Sequence, residues 1–302
     1  MTYRVGRFAT FGFLLLASLA GRGVTAQERF DTGQDVVPVY EGWVWNPDGS
    51  FQFHFGYLNR NWVEQPEIPI GENNSFSPGP PDRGQPTFFY PRRNLFTFSV
   101  TVPKDWGAKQ ELVWTLTVHG KTEHAYGWLQ PEWEVDSLTV AENARTRYGR
   151  SSEEIAANHP PSITIDPVAS ASVSRPLTLT ATIADDGLPA LRPKRPSRPG
   201  LATLSTPPTP TNLPTYRQPL PPQNGLSVLW IVYRGPADVA FEPPGYQAAK
   251  VDGGDAKKSG KTSTTARFVR PGTYVLRAIA ADGLAMTPAD VTVSVTGMKS
   301  NQ

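Results

Sequence analysis

The sequence contains no cysteine, only four histidines, and no apolar run long enough to cross a membrane as a helix. Without cysteine there is no disulfide, no thiol nucleophile and no lipid-modified cysteine. The four histidines leave few choices for a general base: no serine stands in a G-x-S-x-G elbow, and His159 precedes a proline pair. A Ser-His-Asp triad is therefore not expected. An excess of charge is missing too. The chain has 29 Lys and Arg against 27 Asp and Glu, and three of the arginines lie within residues 1–26. The remainder is close to neutral, which argues against nucleic acid as a partner.

What is present starts with an export pattern. Arg4 and Arg7 precede the apolar run FGFLLLASLA, which gives way to a polar stretch with small residues at Val24 and Ala26. This reads as a signal peptide over residues 1–26, cleaved after Ala26. The apolar run is too short for a spanning helix, which needs about twenty residues, so no membrane span is expected. Export without disulfides fits a periplasmic or extracellular bacterial protein.

The rest divides by composition. After an N-terminal extension over 27–38, nineteen Phe, Trp and Tyr fall between Tyr40 and Trp133. The runs FQFHFGYL, NLFTFSVTVP and LVWTLTVHG alternate with period two. They place Phe51, Phe53, Phe55 and Tyr57 on one face, then Phe96, Phe98, Val100 and Val102, then Trp114, Leu116 and Val118. Residues 39–140 are expected to form an aromatic-rich β-sandwich. Residues 141–160 form a linker with a short helix, capped by Ser151 or Ser152 with Glu153 and Glu154 in its first turn. Beyond residue 160 the β-rich runs SITIDP, PLTLTATIADDG, LSVLWIVYRGP, ARFVRPGTYVLRAIAADG and ADVTVSV follow. The fold class expected is all-β, with two tandem sandwiches joined by the short helix and linker and a tail over 297–302.

Several residues of the second half carry a likeness. Pro160-Pro161, LTLTATIADDG over 177–187, Trp230, Gly235-Pro236 and RPGTYVLRAIAADG over 270–283 resemble the polycystic-kidney-disease-type (PKD) immunoglobulin-like domain of secreted bacterial proteins. The resemblance covers about residues 160–296 and implies a seven-stranded sandwich acting as a spacer or interaction module. It implies a core role for Trp230, places Tyr274 at the start of a core strand, and brings no catalytic residues. Two insertions depart from that pattern: a proline-rich, basic segment over 189–224, and DGGDAKKSGKTSTT before Ala266. The first half resembles uncharacterised secreted bacterial proteins only.

Candidate chemistry is sparse. The run IGENNSFSPGPPDRGQPTFF over 70–89 reads as a long inter-strand loop tethered by its aromatics. It displays Asn73, Asn74, Asp82, Arg83 and Gln85 where a partner would meet them. Trp62 and Trp128 are candidates for stacking on a polysaccharide. His54, His119 and His124 would suit zinc or copper only if strands brought them together. Asp185, Asp186 and Asp282 would suit Ca²⁺, against the simpler role of turn formation. Glu132, Glu134 and Asp136, two apart, could share one strand face, as paired carboxylates for glycoside hydrolysis would require. The function expected is a non-enzymatic interaction or spacer protein whose partner is an extracellular protein or polysaccharide. The alternatives are a carbohydrate-binding module or, less favoured, a metal-dependent or hydrolytic enzyme. No cofactor is expected, Ca²⁺ apart.

Overall fold

Sequence alternation becomes burial alternation in strand after strand of the computed structural model, which describes residues 29–136, 138–140, 149–168, 170–192, 219, 221–250 and 259–297. The expected signal peptide, the linker stretch 141–148, most of the proline-rich insertion and the end of the tail lie outside the described residues. The first half supplies six strands: β1 (Val36–Trp45), β2 (Phe51–Asn59), β3 (Asn74–Ser77), β4 (Arg92–Val102), β5 (Leu112–Val118) and β6 (Lys121–Gly127). In β2, Phe51, Phe53 and Phe55 are buried while Gln52 and His54 face outward. Leu112, Trp114, Leu116 and Val118 of β5 are likewise buried.

These strands pair antiparallel into two three-stranded sheets, β1-β2-β4 and β3-β5-β6. The inner faces of both sheets form one aromatic core. Phe98 of the first sheet meets Trp114 of the second edge to face, with ring centroids 5.0 Å apart. β1 carries a bulge between Tyr40 and Gly42. A Cβ on Gly42 would lie 2.6 Å from the Trp133 carbonyl oxygen, and the residue has φ +125°, so glycine alone lets the 133–135 segment run beside β1.

The second half supplies α1 (Ser152–Ala157) and nine further strands: β7 (Ser162–Ile165), β8 (Ala171–Ser172), β9 (Leu177–Ala184), β10 (Ser227–Arg234), β11 (Val239–Glu242), β12 (Gln247–Ala248), β13 (Ser259–Phe268), β14 (Gly272–Ala281) and β15 (Met286–Thr296). Ser151 and Glu154 form a capping box at the start of α1, each side chain accepting the other's backbone N–H. The sheets are β12-β10-β14-β15-β8 and β11-β13-β9-β7, antiparallel except where β8 runs parallel to β15. Their second core includes Leu179, Ile183, Trp230, Tyr274 and Leu276.

β10 reads SVLWIVYR and is buried on both faces, the pattern of a strand covered from two sides. Trp230 and Val232 face the second core, whereas Tyr233 belongs to the first. Phe88 crosses the other way, from the first half into the second core. The described residues from Asp31 onward accordingly form one compact unit.

Four local expectations change. Phe96 does not share the inward face with Phe98. A register shift between Phe55 and Tyr57, with φ +47° at Phe96, turns it out of the core, where it meets His54. The run over 70–89 is not wholly loop, because β3 lies inside it, hidden from pattern reading by a buried asparagine. The insertion before Ala266 ends earlier than expected, since SGKTSTT already belongs to β13. Glu132 lies in a single 3₁₀ turn (Pro131–Trp133), started by Pro131, so Glu132, Glu134 and Asp136 do not share a strand face.

Candidate functional site

The loop over 70–89 turns its polar groups inward. Asn74 is fully buried: its amide donates to the carbonyls of Ile68 (2.9 Å) and Pro86 (2.8 Å), and its oxygen accepts from the Trp114 indole N–H (3.0 Å). Gln85 is fully buried too, accepting from Arg83 N–H (2.7 Å) and donating to the Pro81 carbonyl (2.8 Å). Neither side chain has a free group for a partner, which corrects the expectation that both are displayed. Arg83 donates to the Pro78 carbonyl at 3.1 Å, within its own loop. Asn73 is exposed, and its carbonyl accepts from Thr117 N–H.

Asp82 reaches further. Its two carboxylate oxygens accept from Arg234 Nη1 (2.9 Å) and Nη2 (2.7 Å), while Arg234 Nε donates to the Gln85 carbonyl at 2.9 Å. The Tyr233 hydroxyl donates to the Gly84 carbonyl, and Val232 N–H donates to the Tyr90 hydroxyl at 2.9 Å. The loop is thus a strap that ties the first sheet pair to β10. Those hydrogen bonds from Arg234 hold the Asp82 carboxyl below the usual range. The pair is partly solvated, so Asp82→Ala together with Arg83→Ala is expected to lower unfolding stability by only about 1 kcal/mol. A denaturant melt measures this, and a larger loss would mean the strap folds as a unit.

The histidines do not converge. His54 lies on the outer face of β1-β2-β4 and His124 on the outer face of β3-β5-β6, on opposite sides of the shared core. Burial lowers the His54 pKa. His119 sits in the β5–β6 turn, 2.8 Å from Glu64. No group of three or more His, Cys, Asp or Glu able to hold a metal is found among the described residues. The metal reading of His54, His119 and His124 therefore lacks a geometry.

The aspartates proposed for Ca²⁺ mostly make turns. Asp186 accepts from Leu188 N–H (2.8 Å) and pairs with His159 (3.0 Å), and Asp282 accepts from the backbone N–H groups of Leu284 and Ala285. Asp185 accepts from Gly187 N–H at 2.8 Å and, with Asp282, lines a small pocket closed by Leu188, Leu191 and Leu226. Burial, with Asp282 and Asp186 nearby, pushes the Asp185 pKa up to about 6. A carboxyl raised in the folded state holds a proton that the unfolded chain has already released. Its stabilisation is present below the ordinary value near 3.9 and is lost as pH rises through about 6. The melting temperature is thus expected to decline between pH 4.5 and 7, and Asp185→Asn to flatten that decline; an unchanged slope would contradict this.

This end of the molecule also closes the neck of the proline-rich insertion. Arg192 N–H donates to the Asn224 side chain at 3.1 Å, and the buried Arg150 guanidinium donates to the carbonyls of Ala190 (3.4 Å) and Gln223 (3.3 Å).

Of the two stacking candidates, Trp62 is 39% exposed with the Arg92 guanidinium 4.5 Å from its ring centroid. Trp128 is half-buried, and its carbonyl accepts from the Tyr40 hydroxyl. Four other aromatics among the described residues are more exposed than Trp62, Phe30 (41%) among them. Trp45 (57%) leans on Phe51, Trp133 (41%) stacks flat on Tyr40, and Tyr126 (50%) stands on the outer face of β6.

Around Tyr126 the register forms rows across three strands. Ser75, Thr115 and His124 make one, and Ser77, Val113 and Tyr126 the next. Thr115 Oγ1 lies 3.0 Å from His124 Nδ1, and Thr117 Oγ1 lies 2.9 Å from Thr122 Oγ1. Sequence reasoning missed Tyr126, although KTEHAYG carries the signal: Thr122, His124 and Tyr126 alternate with the inward Ala125 and Gly127. A scan of the chain against protein-family models finds no match, and a search of the curated proteins finds none either.

Proposed function

We propose that the chain is an exported, non-enzymatic interaction or spacer protein of the bacterial envelope or extracellular space, built from two immunoglobulin-like sandwiches. The observation that carries this reading is the strap between them. Asp82, Gly84, Gln85 and Tyr90 all bond to residues 232–234 of β10, so the two sheet pairs are held as one body and their outer surfaces keep a fixed relation. Joins between sandwiches that move are normally small and wet. This one interleaves two cores, with Tyr233 in one and Phe88 in the other.

The PKD-type reading of the second half draws support from two details. Trp230 is buried in the second core, and the Tyr274 hydroxyl donates back to the Arg270 carbonyl at 2.9 Å. That back-bond is the tyrosine corner that fixes such sandwiches. The reading is tested by expressing the full chain in a Gram-negative host, sequencing the mature N-terminus and cross-linking intact cells. An N-terminus at Gln27 and envelope cross-links are expected. A chain retained in the cytoplasm, or one exported without any cross-link or polymer retention, would overturn it.

A further inference from the structure

We propose that the outward face of the β3-β5-β6 sheet binds an uncharged polysaccharide, with Tyr126 as its stacking platform. The inference rests on the interaction role above and names a site and a ligand class for it. Ser and Thr on an outer sheet face are ordinarily just solvated; here they surround a tyrosine ring that is 50% exposed. Placing an aromatic ring in water forgoes the burial of a large apolar surface.

Three further observations decide the chemistry of the occupant. The two rows across the strands carry no carboxylate, ammonium or guanidinium group. Beside the tyrosine their one titratable group is the His124 imidazole, so neither row carries a permanent charge to attract a polyanion or a polycation, and this favours an uncharged ligand. Apart from the His124 imidazole, the polar side chains of the two rows end in hydroxyls, each able both to donate and to accept, and that matches a ligand made of hydroxyls. The Thr115 hydroxyl is oriented by His124 at 3.0 Å, so it is held in place before any ligand arrives.

The platform itself is also held. Tyr126 stands on a regular strand opposite Val113, with the His124 ring centroid 5.9 Å away. Gly127 beside it faces Tyr40, Phe53 and Phe55, each 3.0 Å from where a Cβ would stand, so the strand packs on the core there with no room for a side chain. The weakly polar C–H face of a pyranose fits such a ring, while its equatorial hydroxyls reach the neighbouring Ser and Thr. A protein partner fits less well. Protein interfaces centre on clustered apolar anchors that exclude water, and this face offers one ring and one valine.

Affinity gel electrophoresis of the full chain in soluble neutral glucans, xylans and mannans, with polyuronates alongside, tests the proposal. Retardation by at least one neutral polymer and by no polyuronate is expected. Tyr126→Ala is expected to weaken it about tenfold or more, whereas Tyr126→Phe keeps the ring and most of the effect. Trp62→Ala leaves it unchanged. Tyr126 is half-exposed, so its variants are expected to fold, and far-UV circular dichroism checks this. Equal retardation of Tyr126→Ala and the parent, preference for a polyuronate, or no retardation by any neutral polymer would each overturn the site. If envelope cross-links persist when retardation fails, the interaction role stands without this face; if both fail, the wider reading falls as well.

Discussion

Trp114→Ala is expected to lower unfolding stability by about 4 to 6 kcal/mol, enough to leave a typical domain largely unfolded. Trp114 is fully buried at the centre of the first core, with ring centroids 5.0 Å from Phe98, 5.9 Å from Phe76, 6.1 Å from Phe55 and 6.4 Å from Phe89. Removing the indole opens a cavity that four rings, fixed on three different strands and a loop, cannot collapse to fill. It also strands the Asn74 side-chain oxygen, which the indole N–H satisfies at 3.0 Å. Asn74 in turn holds the carbonyls of Ile68 and Pro86, so the strap is expected to loosen with the core. Chemical denaturation of Trp114→Ala beside Trp114→Phe separates the two contributions. The phenylalanine variant keeps a ring in the core and loses the hydrogen bond together with the smaller volume of the missing pyrrole part. A loss under about 2 kcal/mol for the alanine variant would mean that this core is far more plastic than its packing implies.

Arg277→Ala is expected to lower stability by about 3 kcal/mol and to turn the one cooperative transition expected of a single compact unit into two. The guanidinium lies 3.3 Å from the Tyr233 ring centroid and grips Asp290 through Nε (2.7 Å) and Nη2 (2.9 Å). Its remaining donor, Nη1, reaches the Thr97 carbonyl on β4 at 2.9 Å, so one side chain spans from the second sheet pair to the first. Cutting it leaves Asp290 without its cation, a carbonyl without its donor, and the buried Tyr233 without the charge above it. Lysine is no substitute, because a point charge cannot fork onto Asp290 and lie flat on the ring at once. Calorimetry of Arg277→Ala, Arg277→Lys and the strap variant Arg234→Ala tests the claim. One cooperative transition in all three would show that the interleaved cores couple the halves without these arginines.

The strands were legible because their signal is local. FQFHFGYL, LVWTLTVHG and SVLWIVYR read as strands from their own pattern, and the start of α1 is narrowed to Ser151 or Ser152 with Glu153 and Glu154 in its first turn, of which the structure selects Ser151. What stayed hidden was non-local. The backbone reversal at Phe96 follows from a register shift set by β2, and no feature of NLFTFSV announces it. Asn74 and Gln85 looked like display residues because polar side chains in a Gly- and Pro-rich run usually face water. Here they face in, to satisfy carbonyls that the loop itself buries when it docks on β10. Asp82 and Arg234 are 152 residues apart, and nothing in either neighbourhood points to the other. The charge-free rows around Tyr126 were half visible: parity gave the outward residues of β6, but which serines lay alongside depended on β3, a strand hidden within a loop.

The closed neck at Arg150, Arg192 and Asn224 has a corollary. With its two ends already brought together by the fold, the segment it subtends adds little to the closure penalty as it lengthens, because that penalty grows only with the logarithm of loop length. The carbonyls of Ala190 and Gln223 are therefore held by Arg150 at a cost that depends little on how many residues separate them.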